Sequence, residues 1–406
     1  MKKRIVVCLI SWILFLLASC EKQVEETEIV CNCACEGCVC DTCTQAKEEE
    51  PTGEKAFLPT KENVRFIGRA KKVEDTLWLT YSGTGMEFEF TGTYASVSVK
   101  ADDAYSIQNN QARIAIYVNG ERVVDDMVDQ AEETYTVFES ETSRNCIIKV
   151  LKLSEVRMST VGISKISVVA DDDTIKPTAE SGRLIEFIGD SITCGYGIDD
   201  DDPTHSFSTA TEDVTKAFAY KTAELLEADY SMVAISGFGV ISGKSDDGSK
   251  QEMQSLPWYY DRMGATFSIY LDKYVAQNVL WDFEGREPDV IVINLGSNDN
   301  TYTLSDEEKN KEFALGYLSF LKQIRAKNPN ATIICTLGMV AEDLFPCIEY
   351  AAWWYTMETG DTNIHTLRLD IQKEADGYAA DWHPSEKTHD KAAEKLTAKI
   401  KEIMGW

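Results

Sequence analysis

The period of the sequence changes near residue 171, and the change calls for two different kinds of layer in one chain. From about Lys61 to Asp171 the apolar residues alternate over short stretches separated by Gly-Thr turns: Leu77–Tyr81, Met86–Phe90 and Ala95–Val99. Alternation of this length describes half-buried strands. Arg113–Val118 meets Val123-Val124 through Asn119-Gly120, a two-residue hairpin signal, because both turn positions tolerate positive φ. Thr134–Phe138, Cys146–Leu153 and Val161–Val169 continue the series, and no amphipathic helix interrupts it. The pattern predicts an all-β, jelly-roll-like sandwich over residues 61–175.

Asp171-Asp172-Asp173 and Lys176-Pro177 close that region. Beyond it, apolar strands at 184–188, 230–235, 289–295 and 331–337 alternate with helical stretches. One helix is expected to begin at a Ser305/Glu308 capping box, with Phe313, Tyr317, Leu321 and Ile324 on one face. The last is capped by Ser385 and carries Ala392, Leu396 and Ile400. Strand–helix alternation implies a parallel sheet covered on both sides, an α/β flavodoxin-like domain over 183–406. Ligands of such sheets gather at the carboxyl ends of the strands.

The first residues have a different job. Lys2, Lys3 and Arg4 precede an apolar run from Ile5 to Leu17, then Ala18-Ser19-Cys20. A basic start, an apolar centre and small residues before a cut describe an export signal over 1–19. The run is shorter than the roughly 20 residues of a membrane span. The cut resembles a bacterial lipobox, which implies lipidation of Cys20 and attachment to the membrane of the cell envelope. Glu21, Glu25 and Glu26 favour the outer membrane and its outer face. Residues 20–60, rich in Glu, Thr and Cys, read as a solvated tether. Six of the twelve cysteines fall between Cys31 and Cys43. A cluster without histidine and without zinc-like spacing fits a disulfide-tied or flexible tether better than a metal site.

Losing Lys2, Lys3 and Arg4 with the signal takes the formal charge from -28 to -31. Such an acidic chain repels nucleic acid and anionic headgroups and is compatible with neutral partners such as sugars. The four consecutive acids Asp199–Asp202 lack the spacing of a calcium loop.

The chemistry is concentrated at strand ends. Leu184–Ile188 is cut by Gly189-Asp190-Ser191, which lifts a serine to the end of a strand. Ser191 is a weak nucleophile until a base takes its proton. Of the four histidines, His383 in Asp381-Trp382-His383-Pro384 has the chain position and an adjacent carboxylate. His205 lies in the Asp-rich loop, His365 in a strand, and His389 in the terminal helix, where it reads as solvated. Asp190 is read as a structural support of the serine turn.

Four blocks occur in the order found in SGNH, or GDSL, hydrolases: Gly189-Asp190-Ser191, Ser236-Gly237, Gly296-Ser297-Asn298-Asp299 and Asp381-Trp382-His383. The resemblance implies Ser191 as nucleophile and His383 as base. The oxyanion donors would be the Ser191 and Gly237 backbone N–H groups and the Asn298 amide. The family's usual acid lies three residues before the histidine, where this chain has Ala380. Asp381 is the nearest carboxylate, so either it orients His383 or a backbone carbonyl does and leaves a dyad. The reaction so read needs no cofactor and no metal.

A β-sandwich ahead of this domain, with Gly-Asp-Ser-Ile-Thr-Cys-Gly-Tyr-Gly and Asp-Trp-His-Pro-Ser, resembles carbohydrate esterase family two. The resemblance implies removal of O-acetyl groups from xylan- or mannan-type polysaccharide. Trp382, beside the base, is the best-placed sugar-stacking residue, with Trp258-Tyr259-Tyr260 and Trp353-Trp354-Tyr355 as further candidates or core. Two other readings use the same sequence: an esterase of peptidoglycan acetyl groups or lipid esters, and an inactive polysaccharide-binding lipoprotein.

Overall fold

The computed structural model describes residues 53–270 and 274–406. The expected signal, the lipidated Cys20 and the cysteine cluster lie outside the described residues. Among those described, the first half forms an all-antiparallel sheet of ten strands. They are β1 (Lys55–Phe57), β2 (Arg65–Ile67), β3 (Ala70–Val73), β4 (Thr76–Leu79), β5 (Gly85–Ala101), β6 (Ala112–Val118), β7 (Glu121–Val128), β8 (Glu132–Lys152), β9 (Val161–Ala170) and β10 (Lys176–Pro177).

Two pairs of expected strands turn out to be single long ones. Met86–Phe90 and Ala95–Val99 are both in β5, and Thr134–Phe138 and Cys146–Leu153 are both in β8. The register of β5 against β8 shifts between Gly92 and Tyr94 and again between Ala95 and Ser96. Bulges of this kind bend a strand without ending it, so the polar residues that read as turns are bends inside a ladder. Phe88, Val97, Ile114, Ile148, Val150, Ile163 and Ile166 fill the core that this sheet encloses. The Asn119-Gly120 hairpin is as expected, with φ of 50° and 87° joining β6 to β7.

The second half is a five-stranded parallel sheet: β11 (Leu184–Gly189), β12 (Asp229–Ala234), β13 (Val290–Asn294), β14 (Thr332–Met339) and β15 (Ile364–Ile371). Its order, β12-β11-β13-β14-β15, is the flavodoxin-like 2-1-3-4-5 arrangement. The central strands are mostly apolar and buried along almost their whole length because helices cover both faces. These helices are α1 (Ser191–Cys194), α2 (Phe218–Leu225), α3 (Ser297–Thr303), α4 (Glu307–Lys327), α5 (Phe345–Thr359) and α6 (Glu386–Met404). Ser385 caps α6 as expected. The cap of α4 is Asp306, not Ser305: its carboxylate accepts from Glu308 N and Lys309 N, while Ser305 is left-handed. His389 is not solvated. It is buried on α6, and its Nδ1 accepts the Phe218 N–H, which satisfies the first turn of α2.

The two sheets share apolar cores. Trp78, Tyr81 and Val156 of the antiparallel half pack with Ile188, Val233, Ile291 and Tyr317 of the parallel half. Leu151 and Leu153 pack with Phe187, Phe218 and Leu396. A buried ion pair also crosses the junction. Arg69, between β2 and β3, meets Glu186 of β11 at 3.0 Å, donates to Tyr260 O, and lies against the rings of Tyr260, Trp281 and Phe283. Removing one partner strands a buried charge, which typically costs about 3–5 kcal/mol. Urea denaturation should therefore show Arg69→Ala to be destabilised by about that much. The apolar double variant Arg69→Met/Glu186→Leu should lose markedly less.

Candidate active site

Three adjacent strands each deliver one piece of the site at their carboxyl ends. Ser191 follows the central one, β11, at the start of α1. Asp190 is the cap of that short helix, its carboxylate accepting the Ile192 N–H at 3.0 Å. Gly237 follows β12, and Asn298 follows β13 in the first turn of α3. His383 arrives from the loop between β15 and α6, and its Nε2 lies 2.9 Å from Ser191 Oγ. The structure thus brings together the serine and the histidine that the sequence paired across 192 residues.

The carboxylate of Asp381 does not face His383. Its Oδ2 accepts from the Tyr196 hydroxyl at 3.0 Å and from the Phe207 N–H at 3.2 Å. What faces His383 Nδ1 is the backbone carbonyl of Asp381, at 3.2 Å. The side-chain role considered for Asp381 is corrected to a main-chain one. The cause is local backbone geometry: Asp381 and Trp382 are both left-handed, with φ of 51° and 59°. Two successive non-glycine residues in that region are strained, and only a tightly determined environment holds them. Here that environment includes the Tyr196 hydroxyl on the Asp381 carboxylate. Nδ1 donating to the carbonyl leaves Nε2 as the acceptor, which is the tautomer a base needs.

Tyr196 does more than hold Asp381. Its ring stacks on the His383 imidazole at 4.2 Å between centroids and on Phe207 at 3.9 Å. Tyr196 lies in the serine block, but its place in the sequence assigns it no part. No spacing rule links residue 196 to 383, so only its aromatic character could have hinted at this. Burial lowers the His383 pKa to about 4, and so favours the neutral ring.

The proposed oxyanion donors are unequally placed. Among the described residues the Gly237 N–H has no acceptor. Gly237 is left-handed, with φ of 79°, which favours glycine, and a Cβ there would come within 2.8 Å of Arg157 Nη1 and push the guanidinium aside. Asn298 Nδ2 already donates to Phe238 O at 2.8 Å and to Asp190 Oδ2 at 3.2 Å. It can serve an oxyanion only by releasing one of these, and the longer bond to Asp190 is the weaker. Burial pushes the Asp190 carboxyl up to about 7, reinforced by Asp299. Asp299 is itself raised to about 6 by burial, although it accepts the N–H groups of Val240, Ile241 and Ser242.

Aromatic candidates divide by exposure. Trp382 is exposed beside His383 and touches Tyr378, and Trp258 is exposed as well. Tyr260 and Tyr355 are core, and Trp353 and Trp354 sit on the outer face of α5. Asp199 is not merely solvated: it pairs with Arg113 and Lys216. A cleft of about 1020 Å³ lies at the opposite end of the parallel sheet. Arg65, Asp229, Phe283 and Arg286 line it, and it touches none of Ser191, Gly237, Asn298 or His383.

A serine hydroxyl on a neutral imidazole, beside an unpaired backbone N–H at a sheet's carboxyl end, is equipped for acyl transfer. Fold and site together define the class as an ester hydrolase. Residues 187–391 match the GDSL-like lipase/acylhydrolase family, and the chain belongs to that family. Residues 66–177 match the carbohydrate esterase 2 N-terminal domain. The chain is similar to the cellulase/esterase CelE of Acetivibrio thermocellus, at 29% identity over 80% of this chain and 38% of CelE. It is also similar to an acetylxylan esterase/glucomannan deacetylase of Cellvibrio japonicus, at 29% identity over 53% of this chain and 58% of that protein. A solved family two carbohydrate esterase from Clostridium thermocellum, in complex with cellohexaose, superposes with a TM-score of 0.70. That match is 26% identical and covers 84% of this chain and 99% of that one.

The histidines should separate in an NMR pH titration. His205, bonded to Asp200, should titrate above the ordinary value of about 6.5. Half-buried His383 and buried His389 should titrate well below it. A His383 midpoint at or above that of His205 would contradict the packing described.

Proposed function

We propose that the protein is a carbohydrate O-acetylesterase that removes acetyl groups from xylan- or mannan-type polysaccharide through an acyl-enzyme. The observation that carries the reading is the 2.9 Å contact of Ser191 Oγ with His383 Nε2 in a chain that also matches the family two N-terminal domain. The substrates named for one relative, acetylxylan and glucomannan, and the cellohexaose bound by another favour a neutral β-linked glycan. The acidic composition agrees, since it disfavours anionic partners.

In this mechanism His383 Nε2 takes the Ser191 proton as Oγ attacks the acetyl carbonyl. The Ser191 and Gly237 N–H groups, with Asn298 released from Asp190, receive the negative oxygen. His383 then protonates the departing sugar oxygen, leaving acetyl-Ser191. Water, deprotonated by the same imidazole, attacks this ester, and acetate leaves with Ser191 restored. The Asp381 carbonyl stabilises the imidazolium formed in each half-reaction, so Ser191 and His383 work as a dyad. Trp382 offers a flat face to a sugar ring beside the base. The same reading has the chain exported and held on the cell-envelope membrane by a lipidated Cys20, its acidic tether letting the enzyme reach polysaccharide.

Acetate release by the full chain from acetylated xylan, acetylated glucomannan, acetylated peptidoglycan and a long-chain ester tests the assignment. The two plant polysaccharides should be the good substrates. Ser191→Ala should lose on the order of 10⁴-fold or more in kcat. Equal release by both proteins would exclude Ser191 as nucleophile. Preference for peptidoglycan or the long-chain ester would overturn the substrate class. His383→Ala should lose nearly all turnover, and Asp381→Asn far less, because the group that meets Nδ1 is a carbonyl that the substitution keeps.

A further inference from the structure

The segment Ser154-Glu155-Val156-Arg157 leaves the end of β8 and belongs to the antiparallel half, yet it ends against the oxyanion side of the site. Val156 packs in the core of the parallel half. Glu155 is buried, and its Oε2 accepts the Ser236 N–H at 2.9 Å. Arg157 Nη1 donates to the Ser236 carbonyl at 2.7 Å. Both backbone polar groups of Ser236 are thus held from the other domain. Glu155 is fixed in turn: its N–H donates to Glu212 Oε2 at 2.8 Å, and Lys152 Nζ donates to its carbonyl at 2.8 Å.

The Ser236 carbonyl and the Gly237 N–H belong to one planar peptide unit. A charged donor on the carbonyl oxygen polarises that unit and strengthens its N–H as a donor, as linked hydrogen bonds do. It also fixes the plane, and with it the direction in which the Gly237 N–H points. The guanidinium is itself held: its carbon lies 5.3 Å from the centre of the Phe267 ring, and its backbone carbonyl accepts the Phe267 N–H at 3.0 Å. Arg157 Nη1 lies 2.8 Å from the point where a Gly237 Cβ would stand. The glycine therefore also makes room for the arginine.

We propose that Arg157 is a positioning residue for ester hydrolysis: its hydrogen bond to the Ser236 carbonyl orients and polarises the peptide whose Gly237 N–H receives the oxyanion. The antiparallel domain thereby supplies part of the catalytic apparatus without touching the substrate. The inference rests on the reading of Gly237 as an oxyanion donor. Because the bond strengthens a transition-state contact, its loss falls on kcat and leaves KM largely unchanged.

The test uses the full chain and p-nitrophenyl acetate, which needs no polysaccharide. Arg157→Ala should lower kcat by about 10- to 100-fold, less than loss of an entire donor, while KM changes by about twofold or less. Arg157→Lys, which keeps a charged donor, should recover a substantial part of the loss. Affinity for methylboronic acid, which mimics the tetrahedral adduct on serine, should fall with kcat/KM across the series. The Gly237 amide proton should move upfield in Arg157→Ala, as expected when the carbonyl of its peptide loses a hydrogen bond. An unchanged kcat would overturn the proposal. So would a rise in KM alone, a loss that Lys does not relieve, or an unmoved Gly237 resonance. Wild-type protein active on p-nitrophenyl acetate but on no acetylated polysaccharide would defeat the substrate assignment while leaving this inference standing.

Discussion

The apolar contact between the antiparallel and parallel sheets is the constraint on which the rest of the structure depends. Trp78, Tyr81 and Val156 contribute to a core shared with the parallel sheet, α4, α5 and the loop around residues 256–276. Burial of such side chains stabilises by about 1.5–3 kcal/mol each, so neither half keeps its full core without the other. The Arg69–Glu186 pair adds specificity of register, since its bonds form only when β11 lies at the right height. This junction is what lets a loop of one domain reach the Ser236–Gly237 peptide of the other.

At the site, backbone geometry takes over work that side chains perform elsewhere. The imidazole is oriented by a carbonyl, and that carbonyl is aimed by two left-handed residues. Left-handed backbone at non-glycine positions costs on the order of 1–3 kcal/mol per residue, which the Tyr196 and Phe207 contacts to Asp381 help offset. Tyr196 links the serine block to the histidine block by stacking and by its hydroxyl. Ser191 and His383 therefore reach the same place through one aromatic residue as well as through the sheet.

Much of the fold was legible because period and burial are tied. The change from alternating strands to strand–helix alternation is the change from a sheet with two environments to a sheet covered on both faces. Where reading failed, a local signal met a tertiary override. Residues 91–94 look like a turn but bend a continuous β5, because neighbouring strands β8 and β9 pair across the break. His389 looks solvated on an otherwise charged helix, but α2 begins against it and its ring caps that helix. Ser305 has the right spacing for a cap, but Asp306 is the residue in the extended conformation that a cap requires.

The sequence by itself determined the alternation of strands and helices and the serine and histidine blocks, because these depend on residue type and short-range spacing. Only the tertiary structure decided which group meets His383 Nδ1, which of the Asn298 hydrogens are already engaged, and that Arg157 grips the Ser236 peptide. Each of those is a matter of direction at 3 Å between segments far apart in the chain. Backbone carbonyls occur at every residue, so no pattern of residue types could single out the one from Asp381.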